Sequence, residues 1–242
     1  MKQINKYICD HFENDKFSIL ERLHINKDIG KQNNHYNYHP TTRDELKELV
    51  KKLIKERGKD ADLNDIDTSK ITDMSELFAQ SSFNGDISEW NVSNVESMDS
   101  MFYHSKFTGE NGDISNWDVS NVKDMRYIFY NSEFNGDISN WDVSNVKFMM
   151  YMFTASEFNG DISKWDVSNV VNMVNMFSNS KFDGDISKWN VRNVKYMPGM
   201  FWDSKFTGKN GDISNWDVKK VKTMGGIFNL SPLKQNPPKW YK

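Results

Sequence analysis

Cysteine is almost missing from this chain: Cys9 is the only one among 242 residues. An intrachain disulfide and a thiolate metal cluster are therefore excluded. There is no basic excess either, since 31 Lys and Arg stand against 34 Asp and Glu, and the pI is near 6.0. Such a balance carries no electrostatic footprint for nucleic acid. No segment approaches the roughly 18 apolar residues of a membrane span. No Lys/Arg-rich amphipathic helix argues for a membrane surface. The opening MKQINKYICDHFENDKFS has no uninterrupted apolar stretch of the secretory kind. The chain therefore reads as cytoplasmic, or as released to act in a host cell. Apolar residues make up only 37% and mean hydropathy is −0.75, which is thin for one spherical core.

What is present is a repeat. Trp90, Trp117, Trp141, Trp165, Trp189 and Trp216 stand 27, 24, 24, 24 and 27 residues apart. Both longer intervals arise where FTGENGD (107–113) and FTGKNGD (206–212) replace the FNGD of 134–137. Ile66 lies 24 residues before Trp90, and Trp240 lies 24 after Trp216. The unit reads W-D/N-V-S-N-V-x-x-M-x-x-M-F-x-x-S-x-F-N-G-D-I-S-x, with 8 of its 24 positions apolar. One coil cannot bury that set alone, whereas stacked coils make a continuous core. The alternation in I-S-x-W-D-V predicts a half-buried strand, and the spacing in M-x-x-M-F a short helical turn. N-G-D predicts a corner, with glycine admitting a positive φ. Equivalent strands are expected to stack in parallel at about 4.8 Å.

The unit WDVSNV…M…MF…FNGDIS at 117–140 resembles the BspA-like leucine-rich repeats of bacterial surface proteins. The resemblance covers roughly residues 61–242. It implies a leucine-rich-repeat-like, right-handed solenoid whose members mostly bind proteins or host surfaces.

Residues 1–60 lack the repeat and read as an N-terminal helical cap region, with the solenoid at 61–242. Thr42 and Glu45 make a capping box. Leu46, Leu49, Val50, Leu53 and Ile54 form an apolar stripe, and Gly58 sits at the C-cap. A helix over 43–57 would cover the open end of the solenoid. Ile4, Tyr7, Ile8 and Phe12 suggest a second helix, and Phe17, Leu20 and Leu23 a third; NNHYNYHP (33–40) reads as a loop.

Catalysis has no visible home. The serine column Ser88, Ser115, Ser139, Ser163, Ser187 and Ser214 has no recurring His partner, and no nucleotide-binding or hydrolase motif appears. His11, His24, His35, His39 and His104 are not spaced as a zinc site. The column Asp86, Asp113, Asp137, Asp161, Asp185 and Asp212 could in principle hold calcium, but one carboxylate per coil is a poor donor set. Backbone N–H donors at each bend are the expected partners, and no metal or cofactor is expected. The column Asn94, Asn121, Asn145, Asn169 and Asn193 should satisfy backbone groups of adjacent coils; Lys220 replaces Asn in the last full coil, where fewer neighbouring coils remain.

Recognition is left to the columns that vary. Positions seven, ten and thirteen after each Trp differ from coil to coil and collect aromatic residues: Tyr103, Tyr127, Tyr130, Phe148, Tyr151, Tyr196 and Trp202. Clustered exposed aromatics are typical hot spots. The sequence thus predicts a non-enzymatic scaffold that binds a protein partner through one outer ridge. A phage or mobile-element inhibitor of a host protein, a bacterial effector and an adaptor all fit. The alternative is a structural part of a larger assembly such as a virion, or a surface adhesin.

Overall fold

A computed structural model describes residues 36–241. The helices read at Ile4–Phe12 and Phe17–Leu23 lie outside the described residues. Within them the chain is a stack of near-identical coils with one α-helix at its start. That helix, α1, spans Arg43–Arg57.

The two halves of the repeat exchange the roles expected of them. I-S-x-W-D-V is not a strand but opens a pair of turns that runs on into the following S-N-V: Trp117 N–H donates to the Ile114 carbonyl (3.1 Å), and Val122 N–H to Val119 (2.9 Å). The aspartate ahead of the first turn accepts Ser115 N–H at 2.8 Å, which closes the bend from outside. Ile, Trp and Val alternate because successive turns aim them inward.

The ladder between coils comes instead from M-x-x-M-F. Met98, Ser100, Phe102 and His104 donate N–H groups to the carbonyls of Asp124, Arg126, Ile128 and Tyr130 in the next coil, at 2.8–2.9 Å. Met101 N–H bonds Met98 within the coil, as the helical spacing suggests. The third residue of that turn, Ser100, has φ 58, however, and one left-handed residue stops a helix from propagating. Consecutive coils also meet at single parallel bridges, running Asp73, Ser97, Asp124, Phe148, Asn172, Tyr196 and Thr223.

Inside the ladder, two phenylalanine columns stack. Phe102, Phe129, Phe153, Phe177 and Phe201 have successive ring centroids 5.6–5.8 Å apart. Phe107, Phe134, Phe158, Phe182 and Phe206 follow at 6.1–6.4 Å. Each tryptophan spans the joint between coils, the indole N–H of Trp141 reaching the Ile114 carbonyl at 2.9 Å. Asn145 Nδ2 donates to the Ser120 carbonyl (2.8 Å), a bond repeated in its column; Lys220 ends the series by donating to the Asn193 side chain instead of a backbone carbonyl. The corner glycine serves a different need from the one expected. Gly136 is not at positive φ, but a Cβ there would stand 2.9 Å from Phe134 Cε2. Glycine makes room for the ring beside it.

Helix α1 closes the first coil. Thr42 Oγ1 accepts Glu45 N–H (3.3 Å), the Glu45 carboxylate takes Thr41 N–H (2.8 Å), and Gly58 at φ 96 ends the helix. Leu46, Leu49, Val50 and Leu53 are buried in the same cluster as the coils. Arg43 Nε donates to the Ser75 carbonyl at 2.7 Å, filling an acceptor that a preceding coil would otherwise take. Arg57 forks onto Asp65 with two contacts of 2.9 Å. Burial pushes the Asp65 carboxyl up, but the hydrogen bonds from Arg57 and Asn37 outweigh it and hold it below its ordinary range. Replacing Leu49 and Leu53 together with Ser should remove about 1.5–3 kcal/mol of apolar burial for each. A thermal melt should show a large fall in the transition; a double variant that melts like the parent would mean α1 is not packed on the coils.

Candidate interaction face

The columns seven, ten and thirteen after each Trp do not lie on a helical ridge. They lie along the backbone ladder and take part in it: Tyr127 N–H donates to the Met150 carbonyl, and the Phe148 and Tyr130 carbonyls accept from Met125 and His104. The tenth column is left-handed in every coil: Glu76, Ser100, Tyr127, Tyr151, Asn175, Gly199 and Gly226 have φ between 50 and 66°. Glycine and asparagine suit that conformation, whereas a bulky side chain there costs of order 1–2 kcal/mol. Tyr127 (φ 55) and Tyr151 (φ 59) are therefore placed against the preference of the backbone.

Their rings meet. Tyr127 and Tyr151 stack with centroids 4.8 Å apart and planes at 6°. Tyr103 and Tyr130 stack at 5.0 Å, and Tyr130 lies 5.9 Å from Tyr127. These four tyrosines, all half-buried, form one group. Burial first, then the neighbouring Tyr151 and Asp99, raises the Tyr127 phenol above its usual range. Arg126 beside it bridges Asp99 (2.9 Å) and Asp124 (2.7 Å).

Phe148, Tyr196 and Trp202 stand apart from that group. They are 40, 37 and 43% exposed, and no aromatic pair among the described residues includes them. The expected single ridge is thus two sets, a packed tyrosine cluster and three separate exposed anchors, of which Phe148 shares a coil with Tyr151. Phe148 also forgoes a bond. At its position in other coils, Asp73, Asp124 and Asn172 accept the N–H two residues on at 2.8–3.1 Å. Phe148 has no acceptor to offer, and Met150 N–H has no partner among the described residues. At Tyr196 the residue two positions on is Pro198, which has no N–H to satisfy.

Sequence spacing missed several members of the face. Met150, Val174 and Pro198 at the ninth position are half-exposed, and Leu230 at the fourteenth is 64% exposed. His104 and Asn131, also at the fourteenth, approach to 2.6 Å. The signal was there: these columns vary as widely as the three that were singled out.

The opposite side is monotonous. Each aspartate of the G-D-I-S column accepts the serine N–H two residues on, at 2.8–2.9 Å. Backbone bonds from Ser163 and Ser187 hold Asp161 and Asp185 below the ordinary carboxyl range. Among the described residues no group of three His, Cys, Asp or Glu is arranged to hold a metal, and no helix is long and apolar enough to cross a membrane.

Residues 45–157 and 131–240 each match a family described as "Mycoplasma protein of unknown function, DUF285". No curated protein and no solved structure matches the chain.

The division between scaffold and face has a direct consequence for stability. Tyr127→Asn with Tyr151→Asn places at both sites the residue that Asn175 already is. Relief of the left-handed strain should offset the lost stack, about 0.5–1.5 kcal/mol, and leave the melting transition within a few degrees. Phe153→Ala in the buried column should cost about 3–5 kcal/mol. Calorimetry on both variants checks this, and a tyrosine variant as damaging as the phenylalanine one would make the cluster part of the core.

Proposed function

The chain belongs to the DUF285 family, and on that premise we propose that it is a non-enzymatic scaffold that binds a protein partner through its ladder face. One observation carries the reading. Aromatic side chains occupy positions that the backbone disfavours for them: Tyr127 and Tyr151 at left-handed φ, and Phe148 where other coils use a hydrogen-bond acceptor. Local strain retained against the needs of a fold is a mark of function. Tyr103, Tyr127, Tyr130 and Tyr151 supply a preassembled aromatic surface, with little side-chain freedom left to lose on binding. Phe148, Tyr196 and Trp202 supply exposed anchors.

In this reading residues 1–60 are the cap region and 61–242 the binding solenoid. The coil is right-handed and of the BspA-like leucine-rich-repeat kind. The unit recurring in every coil supports that assignment, as does an asparagine column that bonds the backbone of the preceding coil. Inhibition of a host protein or an effector role would follow from the partner's identity.

Comparative affinity capture tests the proposal, using the full chain and the Tyr127→Asn/Tyr151→Asn variant as baits. A protein retained in stoichiometric amount by the parent should be lost from the variant, since a hot-spot residue contributes about 2 kcal/mol or more. Equal retention by a correctly folded variant would place the interface off the tyrosine cluster.

A further inference from the structure

The ladder face changes character along the axis. On the coils that begin at Ile66, Trp90 and Trp117, its acidic residues outnumber its basic ones but are engaged. Glu96 pairs with Lys123 at 2.8 Å, Asp99 and Asp124 share Arg126, and Glu76 takes Lys47 of α1 at 3.1 Å. On the coils that begin at Trp141, Trp165, Trp189 and Trp216, the balance reverses. Lys181 pairs with Glu157. Lys147, Lys195, Lys205 and Lys222 are exposed and make no ion pair or side-chain hydrogen bond among the described residues.

Three of those free cations share one column. Lys147, Lys195 and Lys222 stand six residues after their Trp, joined by an axial backbone ladder in which Val171 N–H bonds Lys147, Lys195 N–H bonds Val171 and Lys222 N–H bonds Lys195, at 2.8–2.9 Å. The next column holds Phe148 and Tyr196, separated by Asn172. An exposed aromatic anchor therefore lies directly beside an unpaired lysine in each of two coils. With coils about 4.8 Å apart, the lysine row extends on the order of 15 Å.

We propose that this half of the face binds an acidic protein segment, with apolar side chains packed on Phe148, Tyr196 and Trp202 and carboxylates along the lysine row. The proposal rests on the protein-binding reading above and names the chemistry of the partner. A second copy of the chain fits less well, because most acidic residues of its own ladder face are already paired with cations of α1 or of a neighbouring coil. An anionic lipid surface also fits less well. It would press Asp203, next to Trp202, against like charge.

A phage-displayed library of random peptides, panned on the full chain, tests this. Selected peptides should carry Asp or Glu beside aromatic or aliphatic residues. A synthetic peptide from the selection should lose affinity as salt rises from about 50 to about 500 mM. It should bind the Lys147→Glu/Lys195→Glu/Lys222→Glu variant about tenfold more weakly or worse, while that variant melts like the parent. Peptides without acidic residues, or ones that bind the variant as well as the parent, would overturn the acidic partner and leave the protein-binding face standing. A library that yields no binder to the parent would count against both. Two further arms separate the rival occupants. A dimer seen by sedimentation equilibrium and abolished in the lysine variant would make the occupant a second copy. Lysine-dependent binding to phosphatidylserine–phosphatidylcholine vesicles would make it a membrane.

Discussion

Backbone hydrogen bonds that run along the axis hold one coil to the next, and the remaining structure is arranged around them. The interior of each coil is filled by apolar side chains, so its buried N–H and C=O groups must bond one another. The left-handed residues at the tenth and fourteenth positions turn every second N–H toward the following coil, as Tyr127 does to Met150 and Asn131 to Thr154. That fixes the spacing at which the phenylalanine columns stack. It also fixes the reach over which each indole N–H finds a carbonyl of the preceding coil. Packing and hydrogen bonding therefore repeat with one period, and the eight apolar positions of the unit suffice for a continuous core.

The same constraint frees the outer columns. Once the backbone of M-x-x-M-F is held axially, its outward side chains contribute little to the stack, and the coils differ there as they do nowhere else. Ser100, Asn175 and Gly199 occupy one column that elsewhere holds Tyr127 and Tyr151. The fold tolerates all of them, so it does not account for the tyrosines. The contrast with the other side is sharp: Asp, Ser and Asn recur there because each closes a turn or bonds a neighbouring coil. Function is read from the side where the chain departs from its own consensus.

Features whose physics is local were legible in the sequence. The period came from Trp spacing, the carboxylate partners from Asp-x-Ser at each bend, and α1 from Thr42, its apolar stripe and Gly58. The assignment of strand and turn within the unit was not legible. I-S-x-W-D-V alternates as a strand does, yet two turns in succession give the same inward Ile, Trp and Val. M-x-x-M-F has helical spacing and does form i to i−3 bonds. What breaks the helix is the sign of φ at one residue, and Ser100, Glu76 or Tyr127 do not declare it as Gly226 does. The aromatic residues were found, but their split into a tyrosine cluster and separate anchors depends on which columns the ladder brings side by side.

Residue-resolved hydrogen exchange of the native protein bears most directly on that ladder. If alternate residues donate along the axis, Met125, Tyr127, Phe129 and Asn131, with their equivalents in the coils on either side, should exchange far more slowly than Arg126 and Met150. Those last two have no backbone acceptor for their N–H groups among the described residues. The slow and fast amides should alternate in the same register from coil to coil. Uniform protection through M-x-x-M-F, as in a helix, or protection concentrated in I-S-x-W-D-V, as in a strand, would contradict the axial ladder and the face built on it.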